Sequence, residues 1–275
     1  MIRSRLVKIW AYASFILIAA IVVFLFAFVF IKGAGTISWT FLTDIPRGAV
    51  LGSEGGILPA IAGSFLFTAT AAVLGGIPAI TSALYMVFFC KSKNMGVLFK
   101  SLIQCIAGIP SIVLGLFAYS FLVKDLGLGR CVLSGGTALA VMILPFIEVR
   151  AEKAFSEMKE QVIHSSYALG CSKTYTIFKL VLPSCRGELV SAIILGCCYA
   201  MGATAPLIFT GGVAFSAVPD SLAKPAMALP LHLYLLIAQG TTSLPTAYGT
   251  AFVMMAILLI SNMAATLYAA RVRKK

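Results

Sequence analysis

HSSYALGCSKTYTIFKLVLP, residues His164 to Pro183, turns polar inside a chain that is 60% apolar, with a mean hydropathy of +1.02. It sets a glycine within a helical pattern and then runs into Leu-Pro. Working outward from it, the chain falls into long apolar runs separated by short polar connections. Only 11% of the 275 residues are charged, against about a quarter in a soluble domain. A helix needs about 20 apolar residues to cross a bilayer, and runs of that length recur. The short alternating segments of an outer-membrane barrel are missing. The reading is an all-α, polytopic helical membrane protein, treated as one membrane domain.

Six spans fit, near Ile9–Ile31, Ile57–Cys90, Leu98–Val123, Cys131–Val149, Leu189–Thr210 and Tyr248–Ala270. The second is too long for one straight crossing, so it tilts or breaks at Gly75-Gly76-Ile77-Pro78. The first follows a basic MIRSRLVK, but it is too long for a signal-peptide core and reads as a retained span. Of the 21 Lys and Arg, sixteen fall on one side. They are Arg3, Arg5 and Lys8; Lys91, Lys93 and Lys100; Arg150, Lys153, Lys159, Lys173, Lys179 and Arg186; and Arg271, Arg273, Lys274 and Lys275. The opposite side has Lys32, Arg47, Lys124, Arg130 and Lys224. By the positive-inside rule both termini are expected in the cytoplasm. That placement also explains the net charge of +12 without nucleic acid.

The nine acids all fall in connections or at span edges, so none is expected deep in the bilayer, where proton relays and voltage sensors keep theirs. Seven scattered cysteines form no C-x-x-C pair, and His164 and His232 are far apart, so a metal site is not expected. MALPLHLYLLIA, Met227 to Ala238, is too short to span and reads as interfacial or re-entrant.

The connection from about 150 to 188 carries the opening stretch. Helix formers dominate from Ala151 to Leu169, and Gly170 is the natural left-handed residue to end that helix. Ser172 is a credible N-cap for a second piece, which Pro183 is expected to close. Gly170–Thr174, GCSKT, lacks the G-x-x-x-x-G-K-[ST] of a phosphate-binding loop, so ATP is expected to bind elsewhere.

This pattern resembles the EAA loop of type I ABC importer permeases: E-A-A, three residues, Gly, nine residues, I-x-L-P. His164-Ser165-Ser166 occupy the E-A-A positions, Tyr167 opens the spacer, and Gly170 is the glycine. Leu180-Val181-Leu182-Pro183 stand where I-x-L-P belongs. Five further stretches, in order, are similar to phosphate ABC transporter permeases of the PstA type. They are Gly55–Thr68, Ile106–Tyr119, Met142–Arg150, Met201–Gly212 and Met227–Tyr234. The resemblance covers most of the chain from about Trp39 onward.

Two Gly/Pro interruptions, Gly108-x-Pro110-Ser111 and Gly202-Ala203-Thr204-Ala205-Pro206, are candidate pathway elements. Irregular backbone at membrane depth survives where it is buried in protein or lines a polar cavity. The chain departs from the family pattern A-R-A-x-G-E-T-A-P-L, having Tyr199 in place of the arginine and Ala203 in place of the glutamate.

The resemblance implies a permease subunit of an ATP-driven importer for inorganic phosphate, without catalytic residues or a cofactor of its own. Its implied partners are a second homologous permease, two cytoplasmic ATPases carrying ATP-Mg, and an extracytoplasmic binding protein, in a bacterial or archaeal cytoplasmic membrane. Residues 1–56 would form an N-terminal tail, first span and external loop, and 57–275 the permease core. His164, Ser165, Ser166, Tyr167, Gly170, Leu180 and Pro183 would couple to the ATPase. Gly108, Pro110, Ser111, Tyr199, Gly202, Ala203, Thr204 and Pro206 would line the pathway. Permeases for sulfate, molybdate or tungstate, and an ATP-independent channel or carrier, stay open at this point.

Overall fold

The computed structural model describes residues 2–48, 50–240 and 243–273. Lys274 and Lys275 lie outside the described residues, as do the side chains of Arg3, Arg5 and Arg273. Twelve α-helices are found among the described residues, with no strand beyond two isolated bridges. They are α1 (Ile2–Ala34), α2 (Trp39–Thr43), α3 (Leu58–Leu84), α4 (Lys93–Gly108), α5 (Ser111–Ala118) and α6 (Val132–Ser156). There follow α7 (Glu160–Ala168), α8 (Lys173–Thr176), α9 (Leu182–Met201), α10 (Ala205–Thr210), α11 (Leu229–Ala238) and α12 (Leu244–Arg273). Five stretches are long and apolar enough to cross a membrane, and α4 with α5 makes a sixth crossing if that bent pair is one span.

The core forms where α3 and α6 run side by side in the same direction. Small residues allow the approach: a Cβ at Gly75 would lie 2.7 Å from the Ala140 carbonyl oxygen. Such positions bring helix backbones close where apolar burial against lipid gives little drive. Phe67, Leu139, Ile143 and Ile147 fill the interior between α3, α6 and α9. The start of α9 packs antiparallel on the end of α12, where Gly187 faces Val272. Among the described residues α1 packs chiefly on α12: Phe30 meets Phe252 edge-on at 4.6 Å and Gly33 abuts Tyr248. The helices therefore alternate in direction, with both described ends at the same end of the bundle as α7 and α8.

The opposite end is stitched by polar contacts. Leu229 N donates to Ser64 Oγ at 2.7 Å, seating α11 on α3. Thr246 Oγ1 donates to Gly52 O at 2.8 Å and Ser243 Oγ to Leu51 O at 3.0 Å. α11 is a short buried helix against α3 and α12, with Leu229, Leu231, His232 and Leu236 inside. It does not span, as its length required.

Four boundaries differ from the sequence expectation. The second span does not break at Gly75–Pro78; the glycines are the contact face for α6, and the helix continues through Pro78 into a π-helical turn at Tyr85–Phe89. Near Pro78, Thr81 Oγ1 donates to the Ile77 and Pro78 carbonyls at 2.9 and 3.0 Å, satisfying backbone acceptors in the turn next to the proline. The third span is two helices bent by 95° at Ile109-Pro110. The fourth runs on to Ser156 and breaks at Glu157-Met158-Lys159, so α7 is a separate helix. Pro183 does not close the second arm. A π-helical turn over Ile177–Val181 shifts the hydrogen-bond ladder, with Leu182 N bonding Ile177 O, and the prolyl nitrogen enters the first turn of α9 without breaking it. Correspondingly, α9 starts earlier than the expected fifth span and ends at Met201; α10 lies beyond a break at Gly202–Thr204.

Candidate functional site

Two features stand out, and both are built around interruptions visible in the sequence. The first is the turn between α7 and α8. Gly170 has φ of +81°, in the left-handed region, where a side chain carries a steric cost. Cys171 N donates to Ser166 O at 3.2 Å and Gly170 N to Tyr167 O at 2.9 Å. That pair of bonds is a Schellman motif, which satisfies carbonyls at the end of α7. Ser172 then caps α8, its hydroxyl accepting from Tyr175 N at 3.2 Å. Across the elbow, the Ser166 and Thr176 hydroxyls are 2.9 Å apart and fix the angle between the arms.

Between the arms lies a concave surface of about 310 Å³ lined by Ser165, Ser166, Leu169, Tyr175, Lys179 and Leu180, among others. Leu169 at its lip is 84% exposed. Of the seven residues expected to couple, Ser165, Ser166 and Leu180 line this surface and Gly170 makes the turn. His164 and Tyr167 are exposed elsewhere on α7, and Pro183 sits beyond the elbow on α9.

Sequence reasoning missed Lys173 as a fastener. Its ammonium donates to the Phe88 carbonyl and lies 4.3 Å from the Phe89 ring centroid. Both groups belong to the π-helical turn that ends the second span, whose last residues leave carbonyls outside the regular ladder. The elbow is thereby tied to α3 as well as continuous with α9. A helix C-terminus facing an aromatic pair was legible as a cation site only once the fold placed Lys173 beside it.

The second feature is a cavity of about 610 Å³ at the 95° bend of the third span. Its walls include Gln104, Pro110 and Ser111 from the bent pair, Phe146 and Arg150 from α6, and Tyr199 from α9. Phe146 stacks on Tyr199, with centroids 6.1 Å apart, and the Arg150 guanidinium lies 4.6 Å from the Phe146 centroid. The expected pathway residues Pro110, Ser111 and Tyr199 thus meet in one place. Gly108 sits at the bend in open space. Gly202, Ala203 and Thr204 form the break after α9, with Ala203 packed against the main core. Pro206 is buried under α5, where a Cβ on Gly115 would approach its Cα to 2.8 Å. The structure does not bring Gly202–Pro206 into the cavity wall.

An α-helical bundle with a largely apolar cavity at a broken span, edged by Gln104, Ser111, Arg150 and Tyr199, and an elbow projecting from one end suits a polytopic transport permease. The match to known proteins agrees. Residues 79–274 match the model of the binding-protein-dependent transport system inner membrane component, and the chain belongs to that family. A probable phosphate transport system permease protein PstA of Methanocaldococcus jannaschii is 33% identical over 208 residues, covering 75% of this chain and 73% of the relative. A probable ABC transporter permease protein, YqgI, of Bacillus subtilis is 27% identical and covers 94% of this chain and 92% of its own. Among solved structures, an inward-facing MetNI methionine ABC transporter chain superposes with a TM-score of 0.60 at 18% identity, covering 79% of this chain and 94% of that one. The fold is that of an ABC importer permease.

Proposed function

We propose that this chain is the permease subunit of an ATP-driven importer of inorganic phosphate. The single observation that carries the phosphate reading is the named function of the archaeal relative, which is similar over three quarters of this chain. In this reading a second, homologous permease completes the path, two cytoplasmic ATPases bind ATP-Mg, and an extracytoplasmic binding protein delivers the anion. Residues 57–275 form the permease core and residues 1–56 an accessory first span with its loop. The Lys and Arg distribution supports placing both termini and the elbow in the cytoplasm.

The elbow is the handle on which the ATPases act. An exposed apolar lip, a rigid Schellman turn and a helix that runs directly into a span are what a mechanical coupling needs. ATP can shift the permease between inward- and outward-open states only through differential binding to the two. Motion of α7 and α8 would reach α9 through the continuous helix and α3 through Lys173. The chain itself supplies no hydrolytic step; its residues position the anion and move with the elbow.

The test is uptake by the reconstituted complex with unlabelled oxyanions competing. Phosphate should compete at concentrations where sulfate, molybdate and tungstate do not. Competition by one of those and not by phosphate would overturn the substrate, and uptake by this chain alone without ATP would overturn the importer reading.

A further inference from the structure

Arg150 is counted as part of a connection when the sequence is read by charge, yet α6 carries it on for six residues before Ser156. At 1.5 Å per residue that puts it about 9 Å before the end of the helix. Cations inside spans are costly, and as a rule face an interior or a water-filled cavity. Arg150 is exposed to the 610 Å³ cavity at the bend of the third span, and among the described residues it is the only charged one in its wall. It forms no ion pair among the described residues. Glu152, the nearest acid toward the elbow, is held 2.7 Å from Lys100 Nζ. Glu148, two positions before Arg150, is buried and lies about 200° around the helix.

Among the described residues the rest of the wall offers neutral hydrogen-bonding groups and no carboxylate. Gln104, Ser111 and Tyr199 join Arg150, while the remainder is apolar. Phe146 holds the guanidinium from one face, at 4.6 Å, which leaves the edges of its planar fork for a ligand. That fork matches two oxygens of an oxyanion. A cavity with one unneutralised cation, neutral donors and no acid selects an anion and repels a metal cation.

We propose that Arg150 is the anion-binding residue of the translocation path, contacting phosphate directly in the cavity between the bent span, α6 and Tyr199. The proposal rests on the importer reading above for the identity of the ligand; its geometry is that of the cavity alone.

The test uses the full complex in proteoliposomes, with uptake normalised to assembled complex. R150Q should lower phosphate uptake by roughly 10- to 100-fold, the range for losing a hydrogen-bonded contact to a charged group. Y199R in the R150Q background should recover a large part of it, because position 199 stacks on the same Phe146 and opens on the same cavity. A role limited to packing on Phe146 or to anchoring at the membrane surface predicts no such rescue. Uptake by R150Q within twofold of the unaltered protein would overturn the proposal. So would R150Q that fails to assemble, or the absence of rescue by Y199R. If the unaltered complex imports sulfate and not phosphate, the substrate reading falls. The same R150Q and Y199R ratios measured on sulfate would still decide the role of Arg150.

Discussion

Replacing Gly170 by valine isolates the backbone of the elbow from everything around it. No heavy atom lies within 4 Å of where a Cβ at position 170 would stand, so the substitution meets no neighbour. What remains is the conformation, since φ is +81°. A residue with a Cβ carries about 1–2 kcal/mol there, and a β-branched one more. That is about a 5- to 30-fold shift in the ratio of the formed to the relaxed elbow. The Schellman bonds from Cys171 N and Gly170 N depend on the same turn and weaken with it. The assay is phosphate uptake per ATP hydrolysed in proteoliposomes, with membrane insertion as the control. G170V should insert normally and import several-fold less per ATP. G170N should retain most of the coupling, because asparagine tolerates the left-handed region. Equal loss from asparagine and valine, or undiminished coupling in G170V, would refute the reasoning.

Three further outcomes follow from the packing. K173M removes the ammonium from Phe88 O and the Phe89 ring. Amide hydrogen exchange of residues 164–176 should quicken, with uptake per ATP reduced; unchanged exchange would mean the contact does not hold the elbow. G75V forces a side chain toward the Ala140 carbonyl, 2.7 Å from its Cβ, and should cost about 1–3 kcal/mol through overpacking, read as a lower Tm in detergent. Thr68 Oγ1 is buried with no hydrogen-bond partner, so T68V should leave Tm unchanged or raise it, by up to about 1 kcal/mol of stability; a clear fall would reveal a partner for that hydroxyl.

The elbow was the most legible part of the molecule. Gly170 and Ser172 announce a left-handed turn and a cap through local chemistry alone, and local chemistry decides such turns. Spans were legible as hydropathy but not in their detail. Gly75 and Gly76 resemble a hinge in sequence, whereas the fold uses them as the face on which α6 lies, a choice that depends on a helix 65 residues away from Gly75 at Ala140. Pro110 marked an interruption, but neither the bend of 95° nor the close approach of Gly115 to Pro206 beyond it is reported by a local signal. Pro183 looked like a stop because a regular helix cannot tolerate a mid-run proline. The preceding π-helical turn supplies the register shift that accommodates it. Arg150 marks the end of a hydropathy window, and α6 runs on past it to Ser156. Its place over Phe146 follows from α6 staying helical through position 150.

The most direct measurement is accumulation of radiolabelled phosphate in proteoliposomes holding this chain, its partner permease, the ATPases and the binding protein. Uptake should require ATP on the elbow side and binding protein on the other, and should stop when this chain is omitted or carries G170V. Phosphate accumulation that persists without ATP, or an assembled complex that hydrolyses ATP and carries no phosphate, would contradict the account.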